Sequence, residues 1–237
     1  MTDHLVLVPG LDGTGLLFYR QIPLLERRYR VTTHRLRDDA QRLDELVADL
    51  HTRITAMTAP NQRVTLVGES FGGALSLSYA LAHPDRVARL VILNSFPYFA
   101  PQARLRLGYY LLSATPWRVM HVVRRLTSWR MHSAHTGRDE LRRFLQLMRA
   151  TTRRGYLSRL KMLREYDVRG RLAELAMPVL YLAADQDHLV PSVERATLMA
   201  ALTPHATLRV LRGHGHICLI APDLDLGVLL DDWITGA

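Results

Sequence analysis

The chain has 237 residues, 48% of them hydrophobic, which is enough to bury one sizeable core and matches one large domain with a small insertion. Its apolar runs are too short for a signal peptide or a membrane span, and its only cysteine, Cys218, cannot form an internal disulfide. A cytoplasmic protein without an integral membrane segment is therefore expected. The formal net charge of +9 sits in the middle of the chain: residues 96–170 hold 16 Lys or Arg against four acids, while the remainder holds 15 against 18.

A strand-like Leu-Val-Leu-Val at 5–8 runs into a glycine-bearing loop, Pro9-Gly10-Leu11-Asp12-Gly13. A second strand is read at 30–35, an amphipathic helix near 43–57, an apolar β-branched strand from 64, a helix at 73–82 and a strand at 89–93. Such alternation predicts a parallel α/β sheet. From 96 to about 169 the period changes. Leu141, Phe144, Leu145 and Met148 recur at helical spacing, as do Leu157, Leu160 and Leu163, with Pro101, Pro116 and Gly137 as breaks. Three or four helices are expected there. Strands return at 179–183 and 207–211, and a helix over about 222–233 closes the chain. The predicted division is a core of 1–95 and 170–237 with a helical cap, 96–169, inserted between two strands.

The segment Gly68-Glu69-Ser70-Phe71-Gly72 joins an apolar strand directly to a helix. A serine leaving a sheet edge on so sharp a turn needs small neighbours, so that strand and helix can pass. This context predicts a nucleophile elbow with Ser70 as the attacking group.

Four pieces of the chain, in this order, resemble the α/β-hydrolase superfamily: the 9–13 loop, the elbow, the Asp-bearing loop at 183–191 and the His-bearing loop at 212–217. The resemblance implies an α/β-hydrolase fold and a nucleophile, acid and histidine in that order. The loop Ala184-Asp185-Gln186-Asp187-His188-Leu189-Val190-Pro191 is similar to the family's G-x-x-D-x-x-V-P loop, with alanine for glycine, and counting back from Pro191 selects Asp187; Asp185 is the competitor. Gly213-His214-Gly215-His216 is similar to the family's G-x-G-H loop and selects His216, with His214 as the alternative. The resemblance also implies an oxyanion hole made by the backbone N–H groups of Leu11 and Phe71. The family usually has His-Gly where this chain has Pro9-Gly10, and its first strand already leads into the oxyanion loop, so the usual N-terminal hairpin is missing.

The implied activity is a carboxylesterase that needs no cofactor or metal and acts on a small-molecule ester. Apolar cap residues, including Phe96, Tyr98, Tyr110, Met120, Trp129, Phe144 and Met148, are candidates for an acyl pocket. The arginine-rich cap is loosely similar to that of pimeloyl-acyl-carrier-protein methyl ester esterases, which makes an anionic acyl carrier or coenzyme A a possible partner; a solvated helical surface accounts for the same charge. Thioester hydrolysis, acyl transfer, and a non-catalytic ligand-binding scaffold stay open. Nucleic acid is not expected, because the basic residues are scattered and no nucleic-acid fold signature accompanies them.

Overall fold

In the computed structural model, which describes residues 3–99, 102–120, 122 and 131–236, a six-stranded sheet organises the chain. Its strands are β1 (His4–Val8), β2 (Arg30–Thr33), β3 (Val64–Glu69), β4 (Val87–Leu93), β5 (Val179–Ala184) and β6 (Ala206–Leu211). They lie in the order β2-β1-β3-β4-β5-β6, and every pairing among them is parallel. Strands buried on both faces need apolar residues at successive positions, which is why β1, β3 and β5 read as nearly unbroken hydrophobic runs.

The two-residue alternation of a strand divides these runs between two cores. Val6, Val8, Leu66, Ile92 and Tyr181 face one side, under α2 (Leu43–Met57), α3 (Phe71–Ala82) and α7 (Ser192–Leu202). Leu5, Leu7, Val67, Val91 and Leu182 face the other, where they meet α1 (Gln21–Leu25) and α8 (Leu226–Thr235).

Among the described residues, the stretch between β4 and β5 carries the helices α4 (Gln102–Ala114), α5 (Arg138–Leu147) and α6 (Arg153–Met162). The chain leaves the sheet and returns to it at one place, because Tyr98 and Asp167 form an antiparallel bridge and the Val168 N–H donates to the Pro97 carbonyl at 2.8 Å. Among the described residues no helix is long and apolar enough to cross a membrane.

The helices depart from the sequence reading at two boundaries and by one additional element. Helix α3 begins at Phe71 rather than 73, immediately after Ser70. Helix α8 begins at Leu226 rather than near 222, because the Asp225 side chain accepts from the Gly227 and Val228 amides and caps it there. Helix α7, between β5 and β6, is an additional element that the sequence reading did not contain.

The order of strands reverses at β1: the chain passes from β1 to β2 on one side and then crosses back to β3 on the other. In open parallel sheets the crevice at such a switch point, beyond the carboxyl ends of the strands, is where ligands bind. Here that crevice lies between the loop after Val8 and the turn after Glu69.

Candidate active site

Ser70 follows β3 with φ 54° and ψ −119°, a conformation outside the regions an L-residue ordinarily adopts. The turn is held by its own backbone: the Ser70 N–H donates to the Leu93 carbonyl at 2.9 Å, and its carbonyl accepts from Ser95 Oγ at 2.7 Å. Glycines on either side are steric requirements. A Cβ on residue 68 would lie 2.5 Å from the Gly72 carbonyl oxygen, and one on residue 72 would lie 2.1 Å from that of Val8.

The hydroxyl of Ser70 donates to His216 Nε2 at 3.0 Å, and His216 Nδ1–H donates to Asp187 Oδ2 at 2.6 Å. All three are nearly removed from solvent: Ser70 is 8% exposed, and the side chains of His216 and Asp187 are 5% and 1% exposed. Burial opposes charge on His216, yet the charge and hydrogen bond of Asp187, with Glu69 behind them, raise its pKa above the usual 6.5. Burial likewise acts to raise Asp187, but its interactions with His216, the Ser192 hydroxyl and the Val190 amide hold it below the usual carboxylate range. Its Oδ1 accepts from the Leu189 and Val190 amides, both at 2.9 Å.

The alternatives face elsewhere. Asp185 Oδ1 accepts from the Gly213 amide at 2.8 Å and braces the histidine loop from outside. His214 Nδ1 meets Ser133 Oγ at 2.8 Å, and its Nε2 lies 3.9 Å from Asp223. Leu11 sits in a turn closed by a bond from the Gly13 amide to the Gly10 carbonyl at 3.0 Å, while Phe71 is the first residue of α3 and its N–H is one of the orphan donors of a helix N-terminus.

These groups open into a cleft of about 220 Å³ lined by Leu11, Ser70, Met120, Phe144, Met148 and His216, among others. A family model described as the alpha/beta hydrolase fold matches residues 3–221. The chain belongs to that family. A relative provisionally named carbamate hydrolase RutD, from Enterobacter cloacae, is 28% identical over 240 residues, covering 95% of this chain and 88% of its own length. Among solved structures, a hydrolase from Pseudomonas aeruginosa superposes with a TM-score of 0.81 at 22% identity, covering 99% of this chain and 88% of its own. The enol-lactonase of Burkholderia xenovorans does so with a TM-score of 0.83 at 19% identity, covering 99% and 92%. Those two likenesses concern the fold.

The sequence reading of this hydrolase does not single out Glu69, in the cleft, or Asn94, behind the histidine loop. Glu69, the variable position of the elbow motif, is buried and places Oε1 3.9 Å from His216 Nε2. Burial raises its pKa to about 7, with the positive charge of the His216 imidazolium opposing the shift and the negative charges of Asp12 and Asp187 adding to it. Asn94, at φ 47°, donates to the Gly215 and His216 carbonyls at 3.3 and 2.8 Å and accepts from the Ala184 amide at 2.8 Å, joining the ends of β4 and β5 to the histidine loop. An asparagine just past a strand was the available signal, since it tolerates positive φ.

Of the apolar residues proposed for an acyl pocket, Met120, Phe144 and Met148 line the cleft. Phe96 instead packs edge-on against Phe99 and Tyr166, Tyr98 lies under Arg169 and Arg195, and Tyr110 is 66% exposed. Trp129 lies outside the described residues. Some basic residues of 96–170 have local partners: Arg142 pairs with Asp139, Arg143 covers the Tyr19 ring at 3.9 Å, and Arg153 donates to the Ser113 carbonyl. Arg159 is fully buried.

Proposed function

We propose that this hydrolase cleaves carboxylic esters through an acyl-enzyme formed on Ser70, with His216 as general base and acid and Asp187 as its orienting carboxylate. The observation that carries the reading is the continuous hydrogen-bonded path from Ser70 Oγ through both ring nitrogens of His216 to Asp187, at 3.0 and 2.6 Å. Serine is a weak nucleophile at its own pKa, so attack needs a neutral imidazole to take its proton as the bond to the acyl carbon forms. Asp187 holds the tautomer with the proton on Nδ1 and stabilises the imidazolium that results. Negative charge collects on the acyl oxygen, where the Leu11 and Phe71 N–H groups meet it. His216 then returns the proton to the departing alcohol. Water, activated by the same ring, releases the acid and restores Ser70.

In this reading residues 96–169 act as the cap, and Met120, Phe144 and Met148 contact the acyl portion. The names of the relatives support the bond class. Carbamates, lactones and esters all pass through a tetrahedral oxyanion at a carbonyl carbon, so one set of residues serves each. A neutral small-molecule ester fits this cleft better than an anionic one, because the carboxyl groups of Asp12 and Glu69 lie in its lining.

A panel of p-nitrophenyl esters of increasing acyl length, run beside acyl-CoA thioesters with wild type and Ser70→Ala, tests the proposal. Ester turnover that Ser70→Ala lacks supports it. Preference for thioesters moves the assignment to thioesterase, and no turnover of either series removes the catalytic reading.

A further inference from the structure

Arg159 belongs to α6, in the most basic part of the chain, yet its side chain is only 1% exposed. A guanidinium out of water is costly unless most of its donors find partners; those of both Nη atoms do, while Nε has none among the described residues. Its Nη2 pairs with Asp38 Oδ1 at 2.5 Å and reaches the Leu36 and Arg37 carbonyls at 3.2 and 3.3 Å. Its Nη1 donates to the Leu11 carbonyl at 3.1 Å and the Asp12 carbonyl at 3.4 Å. One side chain from the inserted helices thus grips the loop after β1.

The fold makes room for that grip at two glycines. Gly13 has φ +69°, and a Cβ there would lie 2.3 Å from the guanidinium carbon; a Cβ at Gly155, one turn before Arg159 on α6, would lie 2.0 Å from Asp38 Oδ1. Side chains at either position are incompatible with the clamp.

The consequence concerns the Leu11 N–H. It shares a planar trans peptide with the Gly10 carbonyl, so the two point in opposite directions. The Gly10 carbonyl is bound inside the turn by the Gly13 amide at 3.0 Å, which directs the Leu11 N–H out of the turn. The next peptide carries the Leu11 carbonyl, which Arg159 holds. With both flanking planes fixed, Leu11 cannot rotate its N–H without breaking one of these bonds.

Resting on the reading of Leu11 as an oxyanion donor, we propose that Arg159 is a positioning residue that sets the oxyanion hole, coupling the inserted helices to catalysis. It touches no substrate. Its effect is to hold the donor where the tetrahedral oxyanion forms rather than where the ground-state ester binds. Misplacing one such donor costs less than deleting it, which in serine hydrolysis lowers kcat about 10²- to 10³-fold.

The test uses Arg159→Lys, which keeps the charge and loses the planar fork, and Asp38→Asn, which loosens the clamp while leaving Arg159 in place. Active sites are counted by the stoichiometry of fluorophosphonate labelling, and kcat is expressed per labelled site. For Arg159→Lys, kcat per site is expected to fall about 10- to 100-fold with KM within about threefold, and the affinity of an alkylboronic acid, which adds to Ser70 as a tetrahedral adduct, to fall in parallel. Asp38→Asn gives a smaller loss of the same pattern. A purely structural arginine would reduce the number of labelled sites and leave kcat per site and boronate affinity unchanged, and that result overturns the proposal. If Arg159→Lys yields no folded protein, the outcome for Asp38→Asn decides. Wild-type labelling at a residue other than Ser70 would instead overturn the functional reading on which this one rests.

Discussion

Glu69 places a carboxylate oxygen 3.9 Å from Nε2 of His216, on the opposite side of the ring from Asp187, so the imidazole is flanked by two acids. Of these two acids, Asp187 has a hydrogen bond to the ring and Glu69 does not. Glu69 acts on it through charge alone, and its own ionisation near neutrality makes that charge dependent on pH.

Glu69→Gln removes a negative charge that raises the His216 pKa. The acidic limb of kcat/KM, which reports loss of the proton from the base in free enzyme, should therefore move to lower pH in the variant. Because Glu69 and His216 interact, the limb belongs to the pair. Profiles from pH 5 to 9 check this; a limb that stays in place or moves upward shows that Glu69 does not act on His216.

The same substitution alters stability in a predictable direction. The folded pKa of Glu69, about 7, lies above its unfolded value of 4.5, so the native state holds the proton more tightly and stability declines as pH rises from 4.5 through 7. Gln cannot ionise. Thermal melts should show the gap in Tm between Glu69→Gln and wild type widening in favour of the variant from pH 5 to pH 8; a constant gap would show that Glu69 ionises normally.

Asp187→Ala and His216→Ala are each expected to lower kcat by about 10³-fold or more, whereas Asp185→Ala and His214→Ala should stay within about tenfold of wild type. Asp187 faces the imidazole, while Asp185 accepts from the Gly213 amide. Steady-state kinetics on one ester suffices, and the reverse ranking within either pair would reassign that role.

Why these neighbours were hard to separate from sequence follows from their spacing. Asp185 and Asp187 share one loop, as do His214 and His216, so composition and order alone leave each pair ambiguous, and only side-chain direction separates them. The strands and the elbow were legible because burial on both faces demands apolar runs at 5–8, 64–67 and 179–183, and close passage demands glycine at 68 and 72. Glu69 occupies the position a motif leaves free. Arg159 is indistinguishable in sequence from the exposed arginines around it, because burial of a long cationic side chain depends on carbonyls contributed by residues more than 120 positions away. Helix α7 buries Ser192 and Arg195 beside Ala196 and Met199, so its inward face does not read as an apolar stripe.

Asn94→Ala should destabilise the fold by about 2–4 kcal/mol, since it strips partners from the buried Ala184 N–H at the end of β5 and from the Gly215 and His216 carbonyls, and leaves alanine at positive φ. The loss should also lower kcat by loosening the His216 loop. Denaturant unfolding and ester kinetics measure the two effects; an unchanged midpoint would show that the tether carries no stability.

Met148→Ala widens the cleft beside Phe144 and should shift the preferred p-nitrophenyl ester toward longer acyl chains, with kcat/KM for the shortest substrates falling. An unchanged chain-length profile would place the acyl group elsewhere.

The most direct measurement of the central claim is mass spectrometry of the protein treated with a fluorophosphonate, with the adduct mapped to a peptide. The account predicts one adduct per chain, on Ser70, and none on Ser70→Ala, whose ester hydrolysis falls by several orders of magnitude. An adduct on another residue, or equal labelling of wild type and Ser70→Ala, would contradict it.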